Sequence, residues 1–160
     1  MIFLVMGVTG SGKSTVGRML AERLGWVYLE ADDFHSASNK EKMHRGEPLT
    51  EADRLPWLAA MHAEIQRQDR QGKNAVLACS AVREQYRQIL RRGLNLKLIY
   101  LRGSRERIAD RLTRRKHHFA GVSILDDQFA TLEEPRNADV VIDIKESPEE
   151  IVEEILRKVR

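Results

Sequence analysis

Gly7-Val8-Thr9-Gly10-Ser11-Gly12-Lys13-Ser14-Thr15 follows an apolar run, Met1-Ile2-Phe3-Leu4-Val5-Met6, and opens onto a helical pattern. The spacing G-x-x-x-x-G-K-S between a strand and a helix is that of a phosphate-binding P-loop. Glycines let such a backbone turn tightly and aim N–H groups at phosphate oxygens, and the helix that follows adds its positive end. Gly7, Thr9, Gly10, Ser11, Gly12, Lys13, Ser14 and Thr15 are therefore candidates to surround a nucleoside triphosphate, ATP. In that arrangement Lys13 reaches the β- and γ-phosphates and the Ser14 hydroxyl ligates Mg²⁺. A glycine turn that only ended a strand would have no need of the Gly-Lys-Ser triplet.

Outward from this loop, short apolar runs alternate with helical patterns. Ile2 to Met6 is apolar throughout, as in a strand buried on both faces of a parallel sheet. Val16, Met19, Leu20 and Leu24 recur at helical spacing, predicting a helix over 13–24 that Gly25 stops. Trp26 to Leu29 reads as a second strand, completing a unit whose crossover is right-handed. A short helix is expected around 39–44, ended by Gly46 and Pro48. Thr50, with Glu51 and Asp53 behind it, caps a long helix over 51–71 that Pro56 restarts or kinks. Ala75 to Cys79, Leu96 to Leu101 and Ala138 to Ile144 are further strands. Helices are expected over 80–92, over 105–115 behind Ser104, through Leu132 after a loop at 116–121, and from Ser147-Pro148 onward. The sum is an α/β protein, a three-layer α/β/α sandwich around a five-stranded parallel sheet, with ligands at the carboxyl ends of the strands.

The 160 residues carry 27 Lys and Arg against 24 Asp and Glu, a net charge of +3. That length suits one domain over 1–160 with a core that needs no covalent staple. The single cysteine, Cys79, excludes an intrachain disulfide and fits a reducing cytoplasm. The first apolar run is too short to cross a membrane and has no basic leader. The positive excess gathers between Arg111 and His118, where anionic small ligands account for it as well as a polynucleotide does. With no basic tail and no aromatic platform, the expected partner is a small molecule rather than nucleic acid or membrane.

Three clusters bear on the acceptor of the phosphoryl group. Asp32-Asp33-Phe34-His35, with Asn39, Lys42 and Met43, follows the second strand and so lies near the phosphate site. A carboxylate there can take a proton from an attacking hydroxyl or ligate Mg²⁺ directly or through water; a solvated acidic turn is the plainer reading, and Asp33 suits it. In the second cluster, Arg54 offers a planar two-point clamp for a substrate carboxylate, against the plainer reading of a surface ion pair with Glu51 or Asp53. Trp57 reads as core. The third cluster, Arg111, Arg114, Arg115, Lys116, His117, His118 and Phe119, is a cationic helix end and loop suited to closing over ATP, or simply a solvated basic face. Val140-Val141-Ile142-Asp143 imitates a Walker B strand but comes last in the chain and reads as structural. The third strand ends Ala78-Cys79-Ser80 without an acid, so Ser14 needs a metal partner from elsewhere, and Asp32 is the choice.

These pieces together resemble the gluconokinase family of small P-loop carbohydrate kinases. The resemblance runs through Met6 to Ser14, Asp32, His35, Asn39, Lys42-Met43, Gly46-Glu47-Pro48-Leu49, Asp53-Arg54 and Pro56-Trp57-Leu58. It continues through Cys79-Ser80-Ala81, Tyr86-Arg87, Arg115-Lys116, His118-Phe119 and Gln128-Phe129-Thr131-Leu132-Glu133 with Pro135. The chain departs from the pattern at Ala31 and His117, where the family has glycine, and at Ser36, where it has proline. The resemblance implies a P-loop NTPase fold of the nucleoside and shikimate kinase kind, with a substrate-binding insertion at about 37–71 and a mobile lid at 111–123. It implies MgATP as donor, D-gluconate as acceptor and 6-phospho-D-gluconate as product. Lys13, Asp32 and Arg115 then act in catalysis. His35 and Asn39 bind the polyol; Arg54, Arg83 or Arg87 takes the carboxylate; Arg111 packs on adenine; Ser14 and Asp32 hold the metal. A homodimer is plausible on the same ground. Another kinase of this fold, such as a shikimate kinase, and a non-catalytic nucleotide- or RNA-binding module are the alternatives; the chain has no glycine triplet near its third strand as shikimate kinases do.

Overall fold

The computed structural model describes residues 1–114 and 119–159, and of residues 119–123 only the backbone. Strands β1 (Ile2–Met6), β2 (Val27–Glu30), β3 (Ala75–Ala78), β4 (Leu96–Arg102) and β5 (Val140–Asp143) form one parallel sheet. Their spatial order is β2-β3-β1-β4-β5. Helices α1 (Lys13–Leu24), α2 (Ala37–His44), α3 (Glu51–Arg70), α4 (Glu84–Arg91), α5 (Arg105–Arg114), α6 (Phe119–Thr131) and α7 (Pro148–Lys158) connect and cover it. Helix α1 packs on α7, α3 on α4, and α5 on α6. Right-handed crossovers put α1 and α7 on one face and the rest on the other, which is the three-layer arrangement the periodicity predicts.

Every residue of β1 and β3 is buried. These strands lie between two helical layers, so both faces of their pleat need apolar side chains, and the sequence reads as an unbroken run rather than an alternation. Edge strand β5 does alternate, burying Val140 and Ile142 and exposing Val141 and Asp143. The registers align Glu30, Ala78, Val5, Ile99 and Val140 as one row across the sheet. Just past that row, β1 is flanked by β3 on one side and β4 on the other, and the chain leaves in opposite directions. This is the topological switch point, where an open parallel sheet forms its crevice.

Helix ends follow local chemistry. Gly25 ends α1 at φ 70°, and Thr50 and Asp53 form a reciprocal capping box at the start of α3, a device of about 1 kcal/mol. Ser147 caps α7 with Pro148 behind it. Helix α3 runs unbroken through Pro56. Several boundaries differ from expectation, and three of them bear on the site. Strand β2 extends to Glu30, one residue past the predicted end, and the following turn is a 3₁₀ helix over Ala31–Phe34. The helix expected over 80–92 starts only at Glu84. Residues ahead of it are held by tertiary bonds: Glu133 N–H donates to Val82 O (2.7 Å), and Ala81 sits at a left-handed φ of 43°. Helix α6 begins at Phe119, inside the stretch read as loop.

Candidate active site

The P-loop is held in shape by its own backbone bonds. Ser11 N–H donates to Val8 O (3.1 Å) and Val16 N–H to Gly12 O (2.9 Å), so the N–H groups of Lys13, Ser14 and Thr15 have no helical acceptor. Gly10 has φ +80°, and a Cβ on it would lie 2.9 Å from Ile108 Cγ2 and Leu112 Cγ. Only glycine allows the loop to lie this close to α5. A Cβ on Gly7 would strike Ser11 Oγ, which is buried and has no hydrogen-bond partner among the described residues. A loop with unspent N–H groups and an orphaned hydroxyl fits a phosphate ligand. On its outer side Thr9 N–H donates to Gln128 Oε1 (2.6 Å), a bond from α6.

Lys13 is the first residue of α1, and burial pulls its ammonium below the ordinary lysine range, while Asp32 and Glu30 work the other way. Both carboxylates therefore stand within electrostatic reach of the P-loop lysine. Asp32 is exposed, in the turn directly after β2. Glu30 ends β2 and accepts a hydrogen bond from Tyr28 Oη on the same strand face. Burial and that carboxylate push the Tyr28 phenol above its usual range, and the Ser14 hydroxyl works the other way on the same phenol. Glu30 and Tyr28 were not among the sequence candidates. The signal was an acid two positions before Asp32, hidden by ending the strand at Leu29. A single hydroxyl with one or two carboxylates, the remaining positions being water and phosphate oxygen, is the donor set Mg²⁺ prefers. Accordingly, no all-protein cluster of three or more metal-ligating side chains occurs among the described residues. Cys79 ends its run buried, its thiol pushed up to about 12 by that burial, and is inert.

Helices α2 and α3 overhang this carboxyl edge. Trp57 is buried, and its Nε1 donates to Ala31 O (2.7 Å), the carbonyl just before Asp32. Its ring stacks on His35 at 4.3 Å. Asn39 Nδ2 meets His35 Nδ1 at 3.3 Å and donates to Asp53 O at 2.9 Å. His35 and Asn39 are thus buried, and their bonds join α2, α3 and the Asp32 turn. Ser36, the departure from the family's proline, caps α2 by accepting from Asn39 N–H (3.1 Å). Desolvation, helped by Lys40 and Arg54, lowers the His35 pKa to about 4 from its ordinary 6.5. The unfolded chain then binds the extra proton. His35 accordingly contributes stability that is complete above about 6.5 and lost as pH falls toward about 4. Urea midpoints between these pH values should fall with acid for the native chain and fall less for His35→Gln.

The arginines separate clearly. Asp53 is held by Thr50 N–H and by Lys42 Nζ (2.9 Å each), which keep its pKa near 2. Arg54 is left with Glu51 at 3.6 Å and Tyr86 Oη at 3.4 Å, its guanidinium 5.8 Å from the Tyr86 ring centre. Tyr86 Oη itself donates to Glu51 (2.5 Å). Arg83, at the N-cap of α4, acts on the same phenol electrostatically. Arg87 does not join them. It is 1% exposed, and its guanidinium is spent on Glu84 (3.0 Å), Ala81 O (2.7 Å) and Glu133 O (2.8 Å). It is a strut for the β3–α4 loop, so the carboxylate role considered for it is corrected. Arg111 lies on α5 and donates to Ile144 O (2.5 Å), beyond the end of β5. Asp143 stands two strands from β1 and pairs with Arg107 at 3.3 Å, which excludes it from the phosphate site. Arg115, Lys116, His117 and His118 lie outside the described residues, and so does the closing role expected of them.

Comparison with known proteins follows the same lines. A family described as "AAA domain" matches residues 2–135. A gluconokinase of Gluconobacter oxydans is 45% identical over 157 residues, covering 96% of this chain and 88% of that protein. The crystal structure of a gluconokinase from Sinorhizobium meliloti superposes with a TM-score of 0.88 at 39% identity, covering 98% and 90% of the two chains. A shikimate kinase from Aquifex aeolicus, at 17% identity and a TM-score of 0.61 over 99% and 96%, shares the fold alone. No helix among the described residues is long and apolar enough to cross a membrane.

Proposed function

The chain belongs to the gluconokinase family, and from that premise we propose that it transfers the γ-phosphoryl group of ATP to D-gluconate, giving 6-phospho-D-gluconate and ADP. The observation that carries this reading is the convergence at one edge of the sheet. A half-buried Lys13 stands within electrostatic reach of the Asp32 and Glu30 carboxylates, and the Arg54–Tyr86–Glu51 cluster stands on the overhanging helices.

In the proposed reaction the P-loop N–H groups and Lys13 hold the triphosphate. Asp32 orients the primary hydroxyl of the acceptor and takes its proton as the new O–P bond forms and the bond to the ADP oxygen breaks. Ser14, with Asp32 and Glu30 acting directly or through water, would hold Mg²⁺, which offsets charge on the phosphates. Arg54 is held by Glu51 only at 3.6 Å, long enough for a substrate carboxylate to replace that partner. Arg83 flanks it. His35 and Asn39 shape the acceptor wall and hold the Asp32 turn. Arg111 is assigned to the adenine side and Arg115 to closure over phosphate. Residues 37–71 form the acceptor segment and 111–123 the lid. Catalysis is then mostly positioning and electrostatics. A cytoplasmic setting, suggested by the lone buried cysteine, and a homodimer, suggested by the family, complete the proposal.

Coupled ADP release over a panel of sugar acids and shikimate tests the reaction: turnover on gluconate is expected, and turnover on shikimate alone would reverse the assignment. ATP binding without acceptor-dependent ADP release would favour a nucleotide-sensing module instead. Arg54→Ala is expected to raise KM for gluconate about tenfold to a hundredfold, the value of a hydrogen-bonded charge pair. Arg54→Lys should not restore it, because a point charge cannot make the planar two-point contact. An unchanged KM in Arg54→Ala removes the clamp.

A further inference from the structure

The bond from Thr9 N–H to Gln128 Oε1 has no role in the mechanism above. It is short, 2.6 Å, partly buried, and spans 119 residues of sequence. P-loops work by offering backbone N–H groups to phosphate. Here the third residue of the loop has already given its N–H to a side chain. The donor must face an acceptor, so the orientation of the Gln128 amide is fixed: Oε1 is turned to Thr9. Covalent geometry keeps Nε2 within about 5 Å of the Thr9 nitrogen. Gln128 is half-buried, and Nε2 has no hydrogen-bond partner among the described residues.

The rest of the loop is fixed by contacts of other kinds. Gly10 rests on Ile108 and Leu112 of α5, and Ser11 is turned inward beneath Gly7. Thr9 lies between these two supports. It is exposed enough to move, since it is only half-buried itself. Without Gln128, nothing else described on the outer side of the loop takes its N–H.

We propose that Gln128 is a positioning residue for phosphoryl transfer: it fixes the Thr9 amide, and through it the leading half of the P-loop, in the geometry the transferring phosphoryl requires. This rests on the kinase reading of the site but not on gluconate as the acceptor. A loop held in place beforehand pays no reorganisation cost when charge moves. The effect should fall on the chemical step rather than on acceptor affinity.

Gln128→Met keeps length and helix propensity and removes the acceptor. Three quantities are read on the full chain: hydrogen exchange at the Thr9 amide without ligand, steady-state kcat, and KM for gluconate. We expect Thr9 exchange to rise at least tenfold, kcat to fall about 10²-fold, as a misplacement near 1 Å would cause, and KM to stay within about twofold. Gln128→Glu retains an acceptor and should keep Thr9 protected. Unchanged kcat in Gln128→Met overturns the proposal, whatever the exchange rate. So does a lower kcat with Thr9 still protected, since Gln128 would then be acting elsewhere. If Gln128→Met folds poorly, the Thr9 exchange rate of Gln128→Glu decides: loss of protection there overturns the proposal. Should gluconate prove not to be the acceptor, acceptor-independent ATP hydrolysis replaces kcat, and the Thr9 arm stands unaltered.

Discussion

Lys13→Met should lower kcat by about 10²–10³, the usual cost of removing one preorganised donor to a charged transition state. The same substitution should leave the protein at least as stable as before, with Tm unchanged or raised. Lys13 is desolvated at the head of α1, and no direct hydrogen bond or ion pair holds its ammonium among the described residues. Lys13 is half-buried; a partly desolvated cation without a tight partner costs free energy, and an apolar side chain of similar length removes that cost. The pairing of a lost rate with a retained or higher Tm is the signature of a residue kept for chemistry. Coupled ADP release and thermal unfolding measure the two. A near-normal rate, or a large drop in Tm, contradicts the role given to Lys13.

Asp32→Asn is expected to lower kcat by about 10²–10⁴, the range for loss of general base action, with little change in fold. Asp32 is exposed on its turn, so the isosteric amide disturbs no packing. The turn itself is held from beneath by Trp57 through the Ala31 carbonyl. The matched variant Glu30→Gln separates two roles. Glu30 is turned toward Tyr28 and the Ser14 side of the loop, so its loss should raise the Mg²⁺ concentration needed for half-maximal rate while sparing kcat at saturating metal. If Asp32→Asn shows only that metal shift and recovers full rate at high Mg²⁺, Asp32 is a metal partner and not the proton acceptor.

The P-loop, the five strands and the capping of α3 and α7 were legible because each is written in neighbouring residues: a fixed spacing, an apolar run, a Thr or Ser before acids. Parallel order followed from strand–helix alternation. The start of α4 was not legible. It depends on Glu133 and Arg87 reaching across to Val82 and Ala81, and no local propensity reports a bond of that length. The same holds for Gln128, whose partner lies 119 residues away. Glu30 was lost to a one-residue boundary, the least certain feature of any strand read from pattern. Arg54 and Arg87 look equivalent in the sequence as guanidinium groups that could take a substrate carboxylate. Burial separates them: one is spent inside the fold and the other is half free. His35 reads as a candidate ligand in the sequence; that it also packs, buried and stacked on Trp57 with its pKa lowered by desolvation, depends on residues far from it in the chain.

The stack of Trp57 on His35 also makes the junction of α2, α3 and the Asp32 turn visible by light. The chain has two indoles, and they stand at opposite ends of the sheet: Trp57 beside the Asp32 turn, Trp26 against Phe3 at the other edge. Trp26→Phe would leave one emitter, in van der Waals contact with an imidazole that quenches when it gains a proton. Any rearrangement of α2 against α3 as the acceptor enters would then register as a change in emission, without a label and on the timescale of a stopped-flow mixing experiment.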